Sequence, residues 1–273
     1  MLSRLNSHRR QRRFLSLGGV IILLSSLCGF STAGEPASFA DVLDQVRPSV
    51  VAVGTLRPIK RVGAKNLPVT FRGTGFVVGN GEYLITNVHV IPEKIDTAKD
   101  ETLAVFSGRG KQAKSHEVSV VATDPIHDLA LLRLKVGRLP ALSVADDNFL
   151  REGSDVAFTG FPLGMVLGLY PVTNKTIVSA ITPFVMPALS STVLTPVQIK
   201  RLKQPFEVYQ LDAIAYPGNS GSPVFDNQSG RVIGVVNSVF VKESKESLLD
   251  KPSAITYAIP VKYVRELLQQ VGQ

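Results

Sequence analysis

The chain has 273 residues, of which 44% are apolar, and it contains thirteen Phe, six Tyr and no Trp. This composition is ordinary for a folded globular protein and leaves room for one large domain or two lobes. The formal net charge is +8, but five arginines lie within the first thirteen residues, and only +3 remains without them. That surplus is too small for a nucleic-acid-binding surface, so we expect no nucleic acid among the partners.

The first 33 residues have the pattern of an export signal. The five arginines precede an apolar stretch over residues 14–30, which is followed by Ser31, Thr32 and Ala33. Charged, apolar and small-residue regions in this order are typical of a signal that is cleaved, here after Ala33. An uncleaved membrane anchor is the alternative, because the apolar stretch is near the lower length limit for crossing a bilayer. We therefore expect an exported protein that works in the periplasm or outside the cell, or one that is anchored in the inner membrane through residues 14–30.

The single cysteine, Cys28, lies within this leader. A chain that is cleaved after Ala33 contains no thiol. Its fold would therefore depend on neither disulfides nor thiolate metal sites.

A short helix is predicted at the start of the remaining chain, and another at its end. Ser38 has the character of an N-cap, Asp41 supplies an acid to the first turn, and apolar residues recur at helical spacing up to Val46. Pro48 then ends the helix. Only the tail, over residues 261–270, again has a helical pattern.

The rest of the chain has the pattern of short strands separated by turns. Gly, Pro, Asn or Asp stands in nearly every gap, as in the hairpin turn Gly79-Asn80-Gly81. Many strands without long intervening helices favour an all-β fold of antiparallel barrels or sandwiches. The predicted strands cover residues 50–56, 75–78, 83–86, 102–106, 118–123, 129–134, 155–159, 176–181, 206–211, 223–225 and 232–239.

Acyl transfer by a serine needs an imidazole that accepts the hydroxyl proton, and the sequence has four histidines. His8 belongs to the leader, and His116 lies in a polar approach to a strand, where a solvated role is expected. His127 lies in a turn, and its pattern is compatible with an ordinary exposed loop residue. His89 is different because it ends an apolar strand. It is either a buried core histidine or a general base.

Asp128 is the candidate for the carboxylate that would hold such an imidazole. It immediately precedes the apolar strand predicted over residues 129–134. A carboxylate at that place loses water unless a donor such as an imidazole N–H binds it. An acid that only caps the strand is the alternative. Asp124, next to Pro125, has the pattern of a turn residue.

The sequence GNSGS over residues 218–222 supplies the candidate hydroxyl, Ser220. Gly and Ser build tight turns in many proteins, so this segment alone predicts a turn more readily than an active site. The context of the whole chain has to decide between the two.

Six segments occur in order along the chain, at residues 73–76, 86–90, 124–134, 157–162, 218–223 and 257–260. Together they resemble successive blocks of the HtrA/DegP-like trypsin-fold serine proteases. The likeness runs from about residue 38 to residue 268 and includes the opening helix.

This resemblance implies two six-stranded antiparallel barrels with short helices at both ends and an active site in the cleft between them. It implies His89 as the general base, Asp128 as the acid that orients it and Ser220 as the nucleophile. The backbone N–H groups of Gly218 and Ser220 would form the oxyanion hole. Residue 218 would need a conformation that is costly for a residue with a Cβ.

The resemblance also predicts the division of the chain into lobes at residues 34–138 and 139–273. Members of the family commonly append PDZ domains, but only thirteen residues follow Pro260. Because a folded domain needs roughly 50 residues or more, we expect a protease domain without PDZ. Two positions depart from the family pattern. Ser222 stands where a glycine is usual, and Tyr216, where a small or polar residue is usual, is expected to reshape the substrate pocket.

The sequence therefore predicts a serine endopeptidase that hydrolyses peptide bonds of envelope or unfolded proteins through an acyl-enzyme. Such chemistry needs no metal and no cofactor. The expected partners are polypeptide substrates, and the resemblance implies a trimer as the oligomeric form. Two alternatives remain open: a catalytically silent trypsin-fold protein that binds or surveys other proteins, and a hydrolase of small esters.

Overall fold

The computed structural model describes residues 38–58, 69–162, 168–184, 203–237 and 255–273, together with the single residues 196 and 200. The predicted export signal lies outside these residues. The described residues belong to one compact unit, Ala37–Gln273. Within them, no helix is both long enough and apolar enough to cross a membrane.

Two closed barrels of six antiparallel strands make up most of the molecule, which confirms the predicted fold class. Neighbouring strands follow the order β1-β2-β3-β6-β5-β4 in the first barrel and β10-β11-β12-β9-β8-β7 in the second. The first barrel consists of β1 Val50–Leu56, β2 Val69–Val78, β3 Tyr83–Asn87, β4 Thr102–Ser107, β5 Lys114–Asp124 and β6 Leu129–Leu134. The second consists of β7 Asp155–Gly160, β8 Val172–Pro183, β9 Glu207–Asp212, β10 Pro223–Asp226, β11 Val232–Asn237 and β12 Ile255–Pro260.

Two short α-helices flank the barrels, as predicted. Helix α1, Phe39–Val46, begins at the N-cap Ser38, whose hydroxyl accepts the backbone N–H of Asp41 while the Asp41 carboxylate binds back to Ser38. This reciprocal pair is a capping box. Helix α2, Lys262–Gln269, follows β12. Four single turns of 3-10 helix are also present, at Arg47–Ser49, Val88–Val90, Thr97–Lys99 and Gly110–Gln112.

The core explains why several strands have apolar residues on both faces. In β1, Val51 and Val53 belong to a cluster made only of first-barrel residues, whereas Val50 and Ala52 belong to a cluster that includes residues of both barrels and of the two helices. Alternate residues of a strand point to opposite faces, so each face of β1 packs against a different partner. The shared cluster joins the barrels and includes Phe76, Ile85, Leu129, Phe225, Val235 and Ile259.

Candidate active site

His89 and Asp128 form a hydrogen-bonded pair. His89 lies in the 3-10 turn Val88–Val90 that follows β3, and Asp128 immediately precedes β6. His89 Nδ1 is 2.5 Å from Asp128 Oδ2, and the backbone N–H of His89 donates to Asp128 Oδ1 at 3.1 Å. Because a carboxylate accepts, Nδ1 is the donor in this pair, and in the neutral imidazole Nε2 is then the nitrogen with the free lone pair. The His89 side chain is 29% exposed.

The backbone of Asp128 has a φ of +55°, in the left-handed region that few residues other than glycine adopt. Several hydrogen bonds hold it there. Its carbonyl accepts the backbone N–H of Val88 at 3.2 Å and the side-chain amide of Asn87 at 3.0 Å. The carboxylate of Asp124 accepts the backbone N–H groups of residues 126 and 127, which closes the preceding turn. Asp124 is thus the turn residue that the sequence indicated, and the turn delivers Asp128 to the imidazole.

Asn237, the last described residue of β11, reaches Asp128 from the second barrel. Its Nδ2 donates to Asp128 Oδ2 at 2.7 Å, and the same oxygen binds His89 Nδ1. Asn237 is 1% exposed, so this is a charge-assisted hydrogen bond in a shielded place. This contact of Asn237 was not predicted from the sequence. The available signal was a polar side chain at the end of a buried apolar strand, which needs a partner.

Ser220 lies in the loop between β9 and β10, which contains two consecutive turns. The backbone N–H of Asn219 donates to the carbonyl of Tyr216 at 3.0 Å, and that of Ser222 donates to the carbonyl of Asn219 at 3.0 Å. Gly218 has a φ of +102°, a conformation that favours glycine, as the sequence analysis expected.

The backbone N–H groups of Gly218 and Ser220 have no acceptor among the described residues. Within the same part of the chain, Ser220 Oγ forms no hydrogen bond with His89. Such hydrogen bonds are often long before a substrate binds, and proton transfer is compatible with their absence in the free protein. The loop therefore offers a hydroxyl and two unpaired amide donors.

Gly73 of β2 brings the loop and the histidine turn together. A Cβ added to Gly73 would lie 2.9 Å from the carbonyl oxygen of Ser220 and 2.7 Å from Cγ2 of Val90. Because Val90 follows His89 in the chain, the loop that carries Ser220 and the turn that carries His89 both lie against this glycine. A larger residue at position 73 would push them apart.

His127 is not an ordinary exposed loop residue. Its ring stacks on Tyr263 of α2 with the centroids 3.5 Å apart, and it contacts Phe206 edge-on at 4.5 Å. Its Nδ1 binds the carboxylate of Asp124. Burial raises the pKa of Asp124, but the hydrogen bonds from His127 outweigh it, and the pKa lies below its usual value. A second His–Asp pair therefore ties the turn before Asp128 to α2.

The two departures from the family pattern differ in burial. Ser222 is 0% exposed and packs on Gly160, where an added Cβ would lie 2.0 Å from Ser222 Oγ. That hydroxyl has no hydrogen-bond partner among the described residues. Tyr216 is 36% exposed at the start of the loop. Its effect on the substrate pocket stays a prediction.

No group of three or more His, Cys, Asp or Glu side chains in the described ranges is arranged to hold a metal ion.

A family model described as a trypsin-like peptidase domain matches residues 73–235. The matched stretch is more than half of the chain. It contains His89, Asp128 and Ser220 in this order, which is also their order in chymotrypsin-like proteases.

Two curated proteins illustrate the similarity along the sequence. A probable periplasmic serine endoprotease DegP-like from Pseudomonas putida (strain W619) is 26% identical over 300 residues, which cover 96% of this chain and 54% of the relative. Serine protease HTRA1A from Danio rerio is 26% identical over 259 residues, which cover 92% of this chain and 46% of the relative. The chain thus spans about half the length of these relatives.

Solved structures show the same fold. The HtrA-type protease AlgW with a tripeptide superposes with a TM-score of 0.60 at 24% identity, over 86% of this chain and 64% of AlgW. The same protease with a decapeptide gives a TM-score of 0.61 at 23% identity. The resemblance to HtrA/DegP-like proteins is confirmed. Because the family model matches more than half of its length, the chain belongs to the trypsin-like peptidase family.

Proposed function

We propose that the chain is a serine endopeptidase that cleaves polypeptides through an acyl-enzyme, with His89, Asp128 and Ser220 as its catalytic triad. The observation that most supports this proposal is the His89–Asp128 pair, to which Asn237 of the second barrel donates a further hydrogen bond. A pair held from both barrels keeps the imidazole in one tautomer and one orientation. That arrangement is what a general base for a serine requires.

In the first half of the reaction, Ser220 Oγ attacks the scissile carbonyl while its proton passes to His89 Nε2. The C–O bond forms as the carbonyl π electrons move to oxygen, giving a tetrahedral oxyanion. The N–H groups of Gly218 and Ser220 donate to that oxyanion. Asp128 stabilises the imidazolium that has formed. His89 then gives the proton to the leaving amine as the C–N bond breaks, which leaves an acyl group on Ser220.

The second half repeats these steps with water. His89 takes a proton from the water that attacks the acyl carbon, and the same two amides hold the second oxyanion. The bond to Ser220 Oγ then breaks, and His89 returns the proton to that oxygen. The carboxylic acid leaves and the triad is restored, so no other reactant is consumed.

Polypeptides of the cell envelope or unfolded proteins are the proposed substrates, and export to the periplasm is the proposed location. The DegP-like relatives are described as periplasmic serine endoproteases, and the AlgW structures contain peptides. A trimer remains the proposed oligomeric form. The export signal and any anchoring through residues 14–30 stay predictions.

A catalytically silent binding protein of the same fold is the second candidate. The observation that favours it is the missing hydrogen bond between Ser220 Oγ and His89 in the described part of the chain. A hydrolase of small esters would use the same residues and differ only in what the pocket admits.

Cleavage of an unfolded protein separates these candidates. The purified full chain and its Ser220→Ala variant are incubated with reduced casein, and fragments are counted by mass spectrometry. We expect fragments from the wild type and none from the variant. Binding of casein by both without fragments would identify a binding protein. Turnover of p-nitrophenyl acetate alone would identify an esterase.

A further inference from the structure

The motif Gly73-Thr74-Gly75-Phe76 belongs to β2 in the first barrel, yet its threonine contacts the loop that carries Ser220. The backbone N–H of Thr74 donates to the carbonyl of Ser220 at 2.8 Å. Its hydroxyl donates to the carbonyl of Gly218 at 2.7 Å. Thr74 is 0% exposed. One residue of the first barrel therefore holds the carbonyls of the two residues whose N–H groups are the proposed oxyanion donors.

The direction of the Thr74 hydroxyl is determined by its surroundings. The backbone N–H of Phe161 donates to Thr74 Oγ1 at 3.0 Å. A hydroxyl has one proton to give, and with this N–H on its oxygen the proton is directed to the carbonyl of Gly218. On the other side, the hydroxyl of Thr86 donates to the carbonyl of Thr74 at 2.7 Å. The hydroxyl and the carbonyl of Thr74 thus both form hydrogen bonds.

Strand β2 packs closely against the loop that carries Ser220, at Gly221. A Cβ added to Gly221 would lie 2.0 Å from the carbonyl oxygen of Thr74, and Gly221 has a φ of +86°. Glycine is therefore required at position 221 for both space and conformation. The loop has little room to move away from Thr74 without losing these contacts.

The hydroxyl contact matters because Gly218 has no Cβ to restrict its backbone. Glycine passes easily between conformations with positive and negative φ. In the other turn of the loop, the N–H of Ser222 fixes the carbonyl of Asn219 and with it the peptide plane that contains the Ser220 N–H. On the Gly218 side, the peptide plane between Gly218 and Asn219 is held at both ends, since the Asn219 N–H donates to the carbonyl of Tyr216 at 3.0 Å and the Gly218 carbonyl accepts the hydroxyl of Thr74 at 2.7 Å. Loss of the hydroxyl removes one of these two restraints. Rotation about the backbone bonds of Gly218 then becomes easier, and it would turn the Gly218 N–H away from an oxyanion.

We propose that Thr74 is a positioning residue for the oxyanion hole, through which the first barrel sets the conformation of Gly218 in the second. This inference rests on the proposed protease function. Thr74 does not touch the substrate in this mechanism; it acts through the backbone of Gly218. The hydroxyl, and not the methyl group, is the part that is required.

The test compares Thr74→Val, which keeps the shape and removes the hydroxyl, with Thr74→Ser, which keeps the hydroxyl. Removing one oxyanion donor from a serine protease typically lowers kcat by about 100- to 1000-fold. Because Thr74 acts indirectly, we expect kcat of Thr74→Val on a quenched peptide to fall by at least about tenfold, with KM changed less than about threefold. Thr74→Ser should stay within about threefold of the wild type in kcat.

Two further readouts separate positioning from a purely structural role. A peptide boronate forms a tetrahedral adduct that needs the oxyanion hole, so its affinity should fall in parallel with kcat in Thr74→Val. The acid limb of the pH profile of kcat/KM should not move, because His89 and Asp128 are untouched. Thr176→Val is the matched control, since it also removes a buried hydroxyl that donates to a backbone carbonyl, that of Asp212, at 2.7 Å. It should lower the melting temperature and leave kcat unchanged.

The outcomes are distinguishable. If the wild type is active and Thr74→Val has unchanged kcat and boronate affinity, the role of Thr74 is overturned while the proposed protease function stands. Failure of Thr74→Ser to restore kcat would overturn the role of the hydroxyl. If Thr74→Val does not fold, Thr74→Ala is compared with Thr74→Ser by the same criteria. A wild type that cleaves no peptide would overturn the proposed function together with this inference.

Discussion

The contact between Asn237 and Asp128 allows a quantitative test of how the two barrels would share the proposed active site. Asn237→Ala removes a donor that lies 2.7 Å from the carboxylate oxygen that also binds His89. A hydrogen bond to a charged group contributes roughly 1.5–3 kcal/mol. Only 13% of the Asp128 side chain is exposed, which limits replacement of the lost donor by water. Since about 1.4 kcal/mol corresponds to a factor of ten in rate, we expect kcat/KM to fall roughly 10- to 100-fold.

The assay is the initial rate of cleavage of a quenched peptide at pH 8 by the full chain. Asn227→Ala is the matched control, because Asn227 is also a buried asparagine, 7% exposed, but its amide has no partner among the described residues. The control should stay within about twofold of the wild type. A value of kcat/KM for Asn237→Ala within twofold of the wild type, or an equal loss in both variants, would show that the hydrogen bond from Asn237 does not support the His89–Asp128 pair.

Substitutions at Glu101, at Asp124 and at His89 with Ser220 test other parts of the structure. The pKa of Glu101 is lowered to about 2, mainly by the hydrogen bond from the Thr55 hydroxyl. The ionised Glu101 carboxylate therefore contributes its full free energy to folding above its ordinary pKa of about 4.3, and this contribution is lost as the pH falls toward 2. Glu101→Gln should therefore lower stability at pH 7 by about 2 kcal/mol, and melting curves that show the same deficit at pH 2.5 and pH 7 would contradict this. Asp124→Ala should lower kcat several-fold because the turn before the triad acid loses its anchor; a lower melting temperature with unchanged kcat would assign it to stability alone. His89→Ala and Ser220→Ala should each abolish nearly all peptide cleavage, and the double variant should be no worse than the worse single one, since the triad acts as a unit; additive losses would argue against a triad.

Features that depend on neighbours in the chain could be predicted from the sequence. The strands predicted over residues 50–56 and 129–134 have the bounds of β1 and β6, because continuous apolar runs between turn residues mark strands that are buried on both faces. The N-cap Ser38 was found for the same reason, since its partner Asp41 is three residues away. The strand predicted over residues 176–181 was too short, because β8, Val172–Pro183, continues through polar residues on its solvent face.

Contacts between distant parts of the chain could not be predicted. Asn237 lies 109 positions from Asp128, and Thr74 lies 144 positions from Gly218, so neither contact leaves a periodic signal. The packing of His127 could not be predicted for a similar reason, because the ring that covers it belongs to Tyr263, far along the chain. The roles proposed for Asp128 and Ser220 come from the resemblance to a family. By itself, Asp128 fits a strand cap equally well, and the segment around Ser220 predicts a turn more readily than an active site.

Reaction with a fluorophosphonate is the sharpest test of whether Ser220 is a nucleophile that His89 activates. The probe forms a bond between phosphorus and an activated serine oxygen and releases fluoride. The full chain is treated at pH 8, digested with trypsin and mapped by mass spectrometry, with His89→Ala treated in parallel. We expect a single adduct on Ser220 in the wild type and at least about a hundredfold slower labelling of His89→Ala. An adduct on another serine, or equal labelling of both proteins, would overturn the roles proposed for Ser220 and His89.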